Sequence, residues 1–302
     1  MKKWVYSILT VNILIIIIFT ATYRFGIVKS SAIDEGMAGK EKYMNIITTN
    51  KPLYYMVKDL VKDKHAVEYM LKSEEELWNY QYTEDSLTNI EKKDLFFYNG
   101  GNLEPWAEGF IYKLKKDKVS SINVSRGIKL NYITNGKRYG DKDIKENPYY
   151  WLGIEEYKVA LSNIKNALAE KDPVNRDFYE KNYEKKLKEI GYLEENIKYV
   201  SDKLKSYSLI ITSEEFDYIT NYLGVINTKT MRHKDINQEN INKLFKDSKA
   251  IIFFEKDSKI KSELESMVNY PNTEKVYLVK YDGEKDYIEL IKENINALKK
   301  IK

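Results

Sequence analysis

The feature that most constrains the fold is the alternation of short apolar runs with amphipathic helical segments from residue 44 onwards. Two groups of four runs, rich in β-branched or aromatic residues, are separated by longer segments with helical spacing. Parallel strands covered by helices on both faces have this composition, because neither face meets solvent. The runs lie at 46–49, 66–70, 95–98 and 122–124, then at 209–212, 224–226, 251–254 and 276–279. We therefore predict two parallel four-stranded sheets.

A long helical pattern lies between the two groups of strands. Apolar residues recur at three- and four-residue spacing over 154–168 and again over 183–204, where Gly191 interrupts the pattern. The second helix would extend about 40 Å, which is long enough to join two lobes. We predict an α/β protein with two Rossmann-like lobes, residues 44–172 and 207–302, joined by one long rigid helix within residues 173–206.

Residues 4–23 are the most hydrophobic stretch of the chain, between Lys2-Lys3 and Arg24. About 20 residues of helix cross the hydrocarbon core of a membrane, whereas the apolar part of a secretory signal has about 7–15 residues. We predict that residues 1–24 are a signal-anchor that crosses the cell membrane once, with a cleaved signal as the alternative. The two lysines favour a cytoplasmic N-terminus. The bulk of the chain is then extracytoplasmic, behind a tether at residues 25–43.

The composition of the 302 residues excludes several kinds of chemistry. The chain has no cysteine, which excludes disulfides, thiolate metal sites, a cysteine nucleophile and a lipid-modified cysteine. Its two histidines, His65 and His233, lie among basic and polar residues, and we expect them to be exposed. With 50 basic and 46 acidic residues intermixed, we predict no nucleic-acid binding. A nucleophile elbow, a phosphate-binding glycine loop and a dinucleotide motif are absent, so we predict no enzyme.

Several segments resemble the solute-binding proteins of bacterial zinc and manganese ABC importers, a family also described as adhesin-like lipoproteins. The most specific is residues 94–106, DLFFYNGGNLEPW, which is close to the family's DLFIYNGLGLEPW. Residues 45–54, 121–128, 147–152 and 251–255 also resemble family segments, and they occur in the family's order. The resemblance implies an extracytoplasmic protein that presents a small ligand to an ABC permease. We expect it to act as a monomer.

The resemblance also implies where metal ligands would lie, and the sequence departs from the family at each position. Three histidines and an acidic residue usually hold the metal in this family. The loop that is histidine-rich in many zinc carriers corresponds to residues 131–145, which contain no histidine. The positions of the four ligands are occupied by Trp78, Tyr149, Ser213 and Val279.

Zinc and manganese require lone pairs from imidazole, carboxylate or thiolate groups. Tryptophan and valine offer none, and neutral tyrosine and serine are weak ligands. We therefore predict no zinc or manganese site and no cofactor. In an alternative interpretation, metal transport is retained and the acidic side chains of Asp282, Glu255 or Glu214 replace the missing ligands.

Ligands bind beyond the carboxyl ends of the strands in open α/β sheets, so that two lobes would enclose a cleft there. Aromatic faces and carboxylates at this place suit an organic or cationic ligand. In a second interpretation the aromatic residues fill the cleft, and the chain is a surface interaction, adhesion or regulatory module. The candidate cleft residues are Trp78, Tyr149, Tyr150, Ser213, Glu214 and Glu215.

Overall fold

The N-terminal half of the chain alternates parallel strands with helices, as the apolar runs predict. The computed structural model describes residues 42–301 except 116, 140–141, 226–227, 232–234, 238, 241–242, 244–248, 257–272 and 281–283. The elements are β1 (Asn45–Asn50), α1 (Lys51–Val61), β2 (Ala66–Leu71), α2 (Glu74–Asn79), α3 (Glu84–Ile90), β3 (Leu95–Tyr98), α4 (Ala107–Lys113), β4 (Ser120–Asn123), β5 (Tyr132–Tyr139), β6 (Lys142–Glu146) and α5 (Ile154–Lys171).

The C-terminal half repeats this architecture after one long helix. Its elements are α6 (Arg176–Leu204), β7 (Tyr207–Ile211), α7 (Asp217–Leu223), β8 (Thr228–Thr230), β9 (Lys249–Glu255), β10 (Thr273–Leu278) and α8 (Tyr287–Lys299). The first sheet has the strand order β2-β1-β3-β4 and the second β10-β9-β7-β8, and all the strand pairings within these two sheets are parallel. The predicted α/β fold with two parallel four-stranded sheets is confirmed.

Helix α6 is the predicted long helix, and it contacts both halves. Its 29 residues give it a length of about 44 Å. Near its start, the Asn182 side chain donates a hydrogen bond to the carbonyl of Leu60 in α1. Near its end, the Ser201 hydroxyl donates to the carbonyl of Leu223 in α7. The helix thus ties the two halves together.

Two predictions about local structure are wrong. The strand predicted at 224–226, the sixth predicted run, lies later in the chain at β8, because Gly224 adopts the left-handed conformation (φ 64°) and caps the end of α7. Residues 131–145 do not form a plain loop, because β5 and β6 pair there as an antiparallel hairpin. This hairpin brings Ile133 and Ile144 to the cavity described below.

The Asn-Gly-Gly-Asn-Leu-Glu-Pro-Trp segment after β3 is organised by the buried carboxylate of Glu104. This carboxylate accepts hydrogen bonds from the Thr49 hydroxyl at 2.5 Å and from the Asn99 side-chain amide at 2.7 Å. It also accepts from the backbone N–H groups of Asn99 and Gly100, at 2.9 and 3.1 Å. Burial raises the pKa of Glu104, while these donors oppose the shift. The network fixes the loops that follow β1 and β3.

Gly100 allows that loop to approach β4 closely. Its φ is +68°, and a Cβ atom there would lie 2.1 Å from the Asn123 side-chain oxygen. A few residues later, the indole N–H of Trp106 donates to the carbonyl of Leu77 in α2 at 2.8 Å. Helix α2 is thereby held against the loop, and α2 carries Glu74 and Trp78 of the candidate site.

His65 is buried, which corrects the expectation that it is exposed. It is 3% exposed, and its Nδ1 accepts a hydrogen bond from the Met44 N–H. Its Nε2 lies 2.5 Å from the Tyr179 hydroxyl, which donates to Asp172 at 2.6 Å. Burial lowers the pKa of His65, although the nearby Asp172 carboxylate opposes the shift. Because Nδ1 accepts the Met44 N–H, it carries no proton in this arrangement, and the ring links the residue before β1 to the start of α6.

No helix within the described residues is long and apolar enough to cross a membrane. The predicted signal-anchor at residues 1–24 lies outside the described residues, as does the predicted tether up to residue 41. His233 also lies outside them.

The buried His65 ring predicts a pH-dependent stability. Because its folded pKa lies below the ordinary value of 6.5, its contribution is complete above pH 6.5 and is lost as the pH falls through the folded pKa. We expect the free energy of unfolding of the wild type to exceed that of His65→Gln at neutral pH. The difference should shrink on acidification. Urea denaturation at several pH values measures it, and a difference that is independent of pH would contradict the neutral assignment.

Candidate functional site

A cavity of about 280 Å³ lies where the carboxyl ends of the two sheets face each other. Helix α2, the β5–β6 hairpin and the segment after it line one side, and the turns after β7 and β8 line the other. Both halves of the chain therefore contribute to it, as expected for a cleft between two open α/β sheets. The lining residues are Trp78, Ile133, Ile144, Asn147, Pro148, Tyr149, Thr212, Ser213, Glu214, Glu215, Thr230 and Met231.

The structure brings most of the predicted cleft residues together at this cavity. Trp78, Tyr149, Ser213, Glu214 and Glu215 all line it. These residues are separated by up to 137 positions in sequence, so that only the packing of the two halves assembles them.

Other predicted positions lie elsewhere. Tyr150 is fully buried away from the described lining, and its hydroxyl donates to the carbonyl of Asn99 at 3.0 Å. Val279 is also buried, with its N–H and carbonyl bonded to the Asn294 side chain at 2.8 and 2.9 Å. Asp282 and the side chain of Glu255, two of the suggested substitute ligands, lie outside the part of the structure that is described.

Lys280 is the residue of this site that the sequence did not predict. It follows β10, and its side chain is only 10% exposed. The ammonium nitrogen lies 3.3 Å from Glu215 Oε1 and 3.5 Å from Glu74 Oε2. It also lies 5.0 Å from the centre of the Tyr149 ring, within the range of a cation–π interaction. One feature of the sequence could have indicated Lys280. It lies shortly after a buried strand and next to Val279, the position that the family resemblance assigns to the acidic metal ligand.

The two carboxylates that contact Lys280 are fixed by their local structure. Glu74 is the first residue of α2, whose N-cap Ser73 accepts a hydrogen bond from the Glu76 N–H at 3.2 Å. The Tyr149 hydroxyl donates to Glu74 Oε1.

Glu215 lies in the short 3-10 turn Glu214–Phe216 directly after β7. The buried Phe216 ring anchors this turn in the core. A carboxylate from each half thus reaches the same ammonium group.

Asn147 joins the two halves directly beside the cavity. Its side-chain amide donates to the carbonyl of Glu214 at 2.8 Å, and its side-chain oxygen accepts from the Tyr149 N–H at 3.1 Å. Its own carbonyl accepts from the Tyr218 hydroxyl at 2.9 Å. Asn147 is fully buried, so that these bonds replace water completely. They hold Tyr149 in a fixed position relative to the turn after β7.

Further contacts join the halves behind the cavity. The indole N–H of Trp151 donates to the carbonyl of Lys280 at 3.3 Å. The rings of Tyr157 and Tyr287 stack with centres 3.6 Å apart and planes 12° apart. These contacts restrict how far the cleft can open without breaking buried interactions.

A buried lysine on α6 reaches both halves. The Lys186 ammonium lies 2.7 Å from Asp59 in α1 and 3.8 Å from Asp286, the N-cap of α8. Its side chain is 6% exposed. Although burial alone would lower the pKa of Lys186, the carboxylates of Asp59, Asp286 and Glu189 raise it, so the group stays charged. This ion cluster is a further contact between the two halves, away from the residues that line the cavity.

The cavity lining combines the aromatic residues Trp78 and Tyr149 with the acidic residues Glu214 and Glu215. Within the described part of the chain, no three acidic or histidine side chains are placed to hold a metal ion. The cavity instead combines aromatic faces with carboxylates, and its turn after β7 concentrates negative charge. Burial, followed by the nearby Glu214 carboxylate, raises the pKa of Asp217 to about 6.

Comparisons with known proteins agree with this architecture. The family model of the periplasmic zinc-uptake complex component A, ZnuA, matches residues 46–301. A metal ABC transporter substrate-binding lipoprotein of Lactococcus lactis is 30% identical over 203 residues, which are 63% of this chain and 64% of that protein. FimA of Streptococcus parasanguinis, described in the same words, is 27% identical over 289 residues, which are 89% of this chain and 91% of that protein.

Solved structures show the same fold. The metal-dependent lipoprotein YcdH of Bacillus subtilis is 24% identical, with a TM-score of 0.67 over 85% of this chain and 98% of that one. The Zn(II)-bound ZnuA-like domain of Streptococcus pneumoniae AdcA is 21% identical, with a TM-score of 0.67 over 85% and 98% of the two chains. Together with the family match over residues 46–301, these findings establish that the chain belongs to the ZnuA family of ABC-importer solute-binding proteins.

Proposed function

We propose that this protein is an extracytoplasmic solute-binding protein of an ABC importer whose cleft binds a small ligand other than zinc or manganese. The observation that carries the proposal is the Lys280 ammonium between Glu74 and Glu215. A divalent ion near these carboxylates would meet a positive charge at close range in a poorly solvated site, where Coulomb repulsion is strong. The aligned positions Trp78, Tyr149 and Ser213 supply no strong ligand to offset that repulsion.

The cavity supports capture of a small organic molecule. Its volume of about 280 Å³ lies just below the range of roughly 300–1,000 Å³ that is usual for small-molecule pockets. Trp78 and Pro148 offer apolar surface on one side, while Ser213 and Glu214 offer hydrogen-bonding groups on the opposite side, beside Met231. This division suits a compact ligand with one apolar and one polar or cationic end. The partner in this proposal is an ABC permease, and the protein acts as a monomer and not as an enzyme.

A surface interaction, adhesion or regulatory module is the second candidate. The observation that favours it is the complete burial of Tyr149 beneath Lys280, with Trp151 at its other side, so that part of the cleft is filled. Denaturing the purified protein and analysing the released small molecules distinguishes the two candidates. Release of a small molecule from the wild type but not from Trp78→Ala would support capture, and release from neither would support a filled cleft. Retained metal transport through acidic ligands is the third candidate, for which Glu214 is the suggested ligand that lines the cavity.

We further propose that residues 4–23 tether the protein to the cell membrane, with the binding part outside. The relatives are named lipoproteins, and this chain has no cysteine to carry a lipid. In fractionated cells we expect the protein in the membrane fraction after alkaline carbonate extraction, and we expect external protease to digest it in cell-wall-stripped cells. Recovery of the protein from the soluble fraction, or protection from the protease, would contradict this location.

Calorimetric titration of the purified full chain with zinc and with manganese tests the proposed specificity. We expect no binding tighter than about 1 µM, which corresponds to about 8 kcal/mol. Glu214→Gln is the matched variant, because it removes a candidate ligand at nearly constant volume. Sub-micromolar binding by the wild type that Glu214→Gln abolishes would favour metal transport and refute the non-metal proposal.

A further inference from the structure

The surroundings of the Lys280 ammonium have the form of a cation-binding site. Two carboxylates lie within 3.5 Å of it, from α2 in one half and from the turn after β7 in the other. The face of the Tyr149 ring lies on a third side, and the Tyr149 hydroxyl donates to Glu74. An ammonium group has three N–H donors and no acceptor, which matches two carboxylates and an aromatic face.

The Lys280 ammonium, which fills this site, belongs to the chain itself. It reaches the site through the flexible methylene stem of the lysine. The site itself is built from other, fixed elements: the first turn of α2, the turn after β7 and the segment around Asn147. Tyr149 and Glu215 also line the 280 Å³ cavity, so that the site adjoins a space that a small molecule could occupy. The recognition elements are thus separate from the lysine that occupies them.

We propose that Glu74, Glu215 and Tyr149 form a binding site for a primary ammonium group, and that Lys280 fills this site and determines whether the cleft admits a free cation. The ligand class of the site is the alkylammonium ion. This inference deepens the proposed function, because it names the group that excludes other cations. The test of the ammonium site uses no zinc or manganese. The inference about this site and the proposal that the cleft binds neither metal can therefore fail independently of each other.

Shortening Lys280 and supplying the missing atoms as a free amine tests the inference. Lys280→Ala removes the atoms from Cγ to Nζ, which n-propylammonium matches in length and charge. Two partly buried carboxylates then lose their contact with this ammonium group, and we expect the Tm of the full chain to fall by about 5 °C. We expect n-propylammonium at about 50 mM to restore at least half of that loss, since it binds the folded state alone.

Three controls separate recognition of the charge from simple filling of space. Propanol has the same length without the charge and should restore little of the Tm. Lys256→Ala, which removes a lysine paired with Glu293 on the surface, should show no response to the amine. Lys280→Met, which fills the stem's space without a charge, should lose stability and gain nothing from the amine. An equal effect of the amine on Lys280→Ala and Lys256→Ala would overturn the inference.

A double-mutant cycle keeps the inference testable if Lys280→Ala does not fold. Glu215→Gln should lower the Tm of the wild type, because it removes a partner of the ammonium. In the Lys280→Met background the same change should lower the Tm less than it does in the wild type, because the ammonium group that contacts Glu215 is already gone. Additive effects of Glu215→Gln and Lys280→Met would show that the site does not recognise the ammonium and would refute the inference.

Discussion

The pairing of one ammonium group with carboxylates from both halves of the chain is the interaction on which the cleft depends. Lys280 follows the edge strand β10, Glu74 begins α2, and Glu215 follows the central strand β7. Charges with so little exposure are stable only when they are paired. Moving the halves apart would therefore cost the free energy of separating the Lys280 ammonium from the Glu74 carboxylate. The hydrogen bonds of Asn147 and the stacking of Tyr157 on Tyr287 also hold the two halves together.

The positions of these groups follow from features that are local in sequence. The motif after β3 turns at Gly100, buries Glu104 as the acceptor of four hydrogen bonds, and uses Trp106 to hold α2. Helix α6 then spans both halves and contributes Lys186 to a second ion cluster at the joint. The described residues therefore keep the family's architecture of two parallel sheets and a long helix. In the proposed function, the groups inside the cleft differ in chemical type, so that the scaffold and the specificity of the protein would be physically separable.

The sequence predicted the fold well because the interior strands β1, β3 and β7 are almost entirely buried and consist of apolar or β-branched runs. It missed the β5–β6 hairpin, although Gly140-Asp141 between two runs is a typical hairpin signal. It placed strand β8 too early, at 224–226, because the apolar pair after Gly224 resembles a strand, whereas the glycine ends a helix. His65 was expected to be exposed because its neighbours are polar, and its burial is decided by Tyr179, 114 residues away.

The cleft was predictable only in part, because its contacts, like that of His65, join residues that are far apart in sequence. The family resemblance led to Trp78, Tyr149 and Ser213, which do line one cavity. It could not reveal Lys280, whose role depends on contact with Glu74 more than 200 positions away. A crystal structure grown with excess zinc, with anomalous data collected at the zinc edge, would show whether a divalent ion can enter the cleft. We expect no anomalous peak between Glu74 and Glu215, and the Lys280 ammonium in contact with both. A zinc peak at that position with the Lys280 side chain displaced would contradict this expectation.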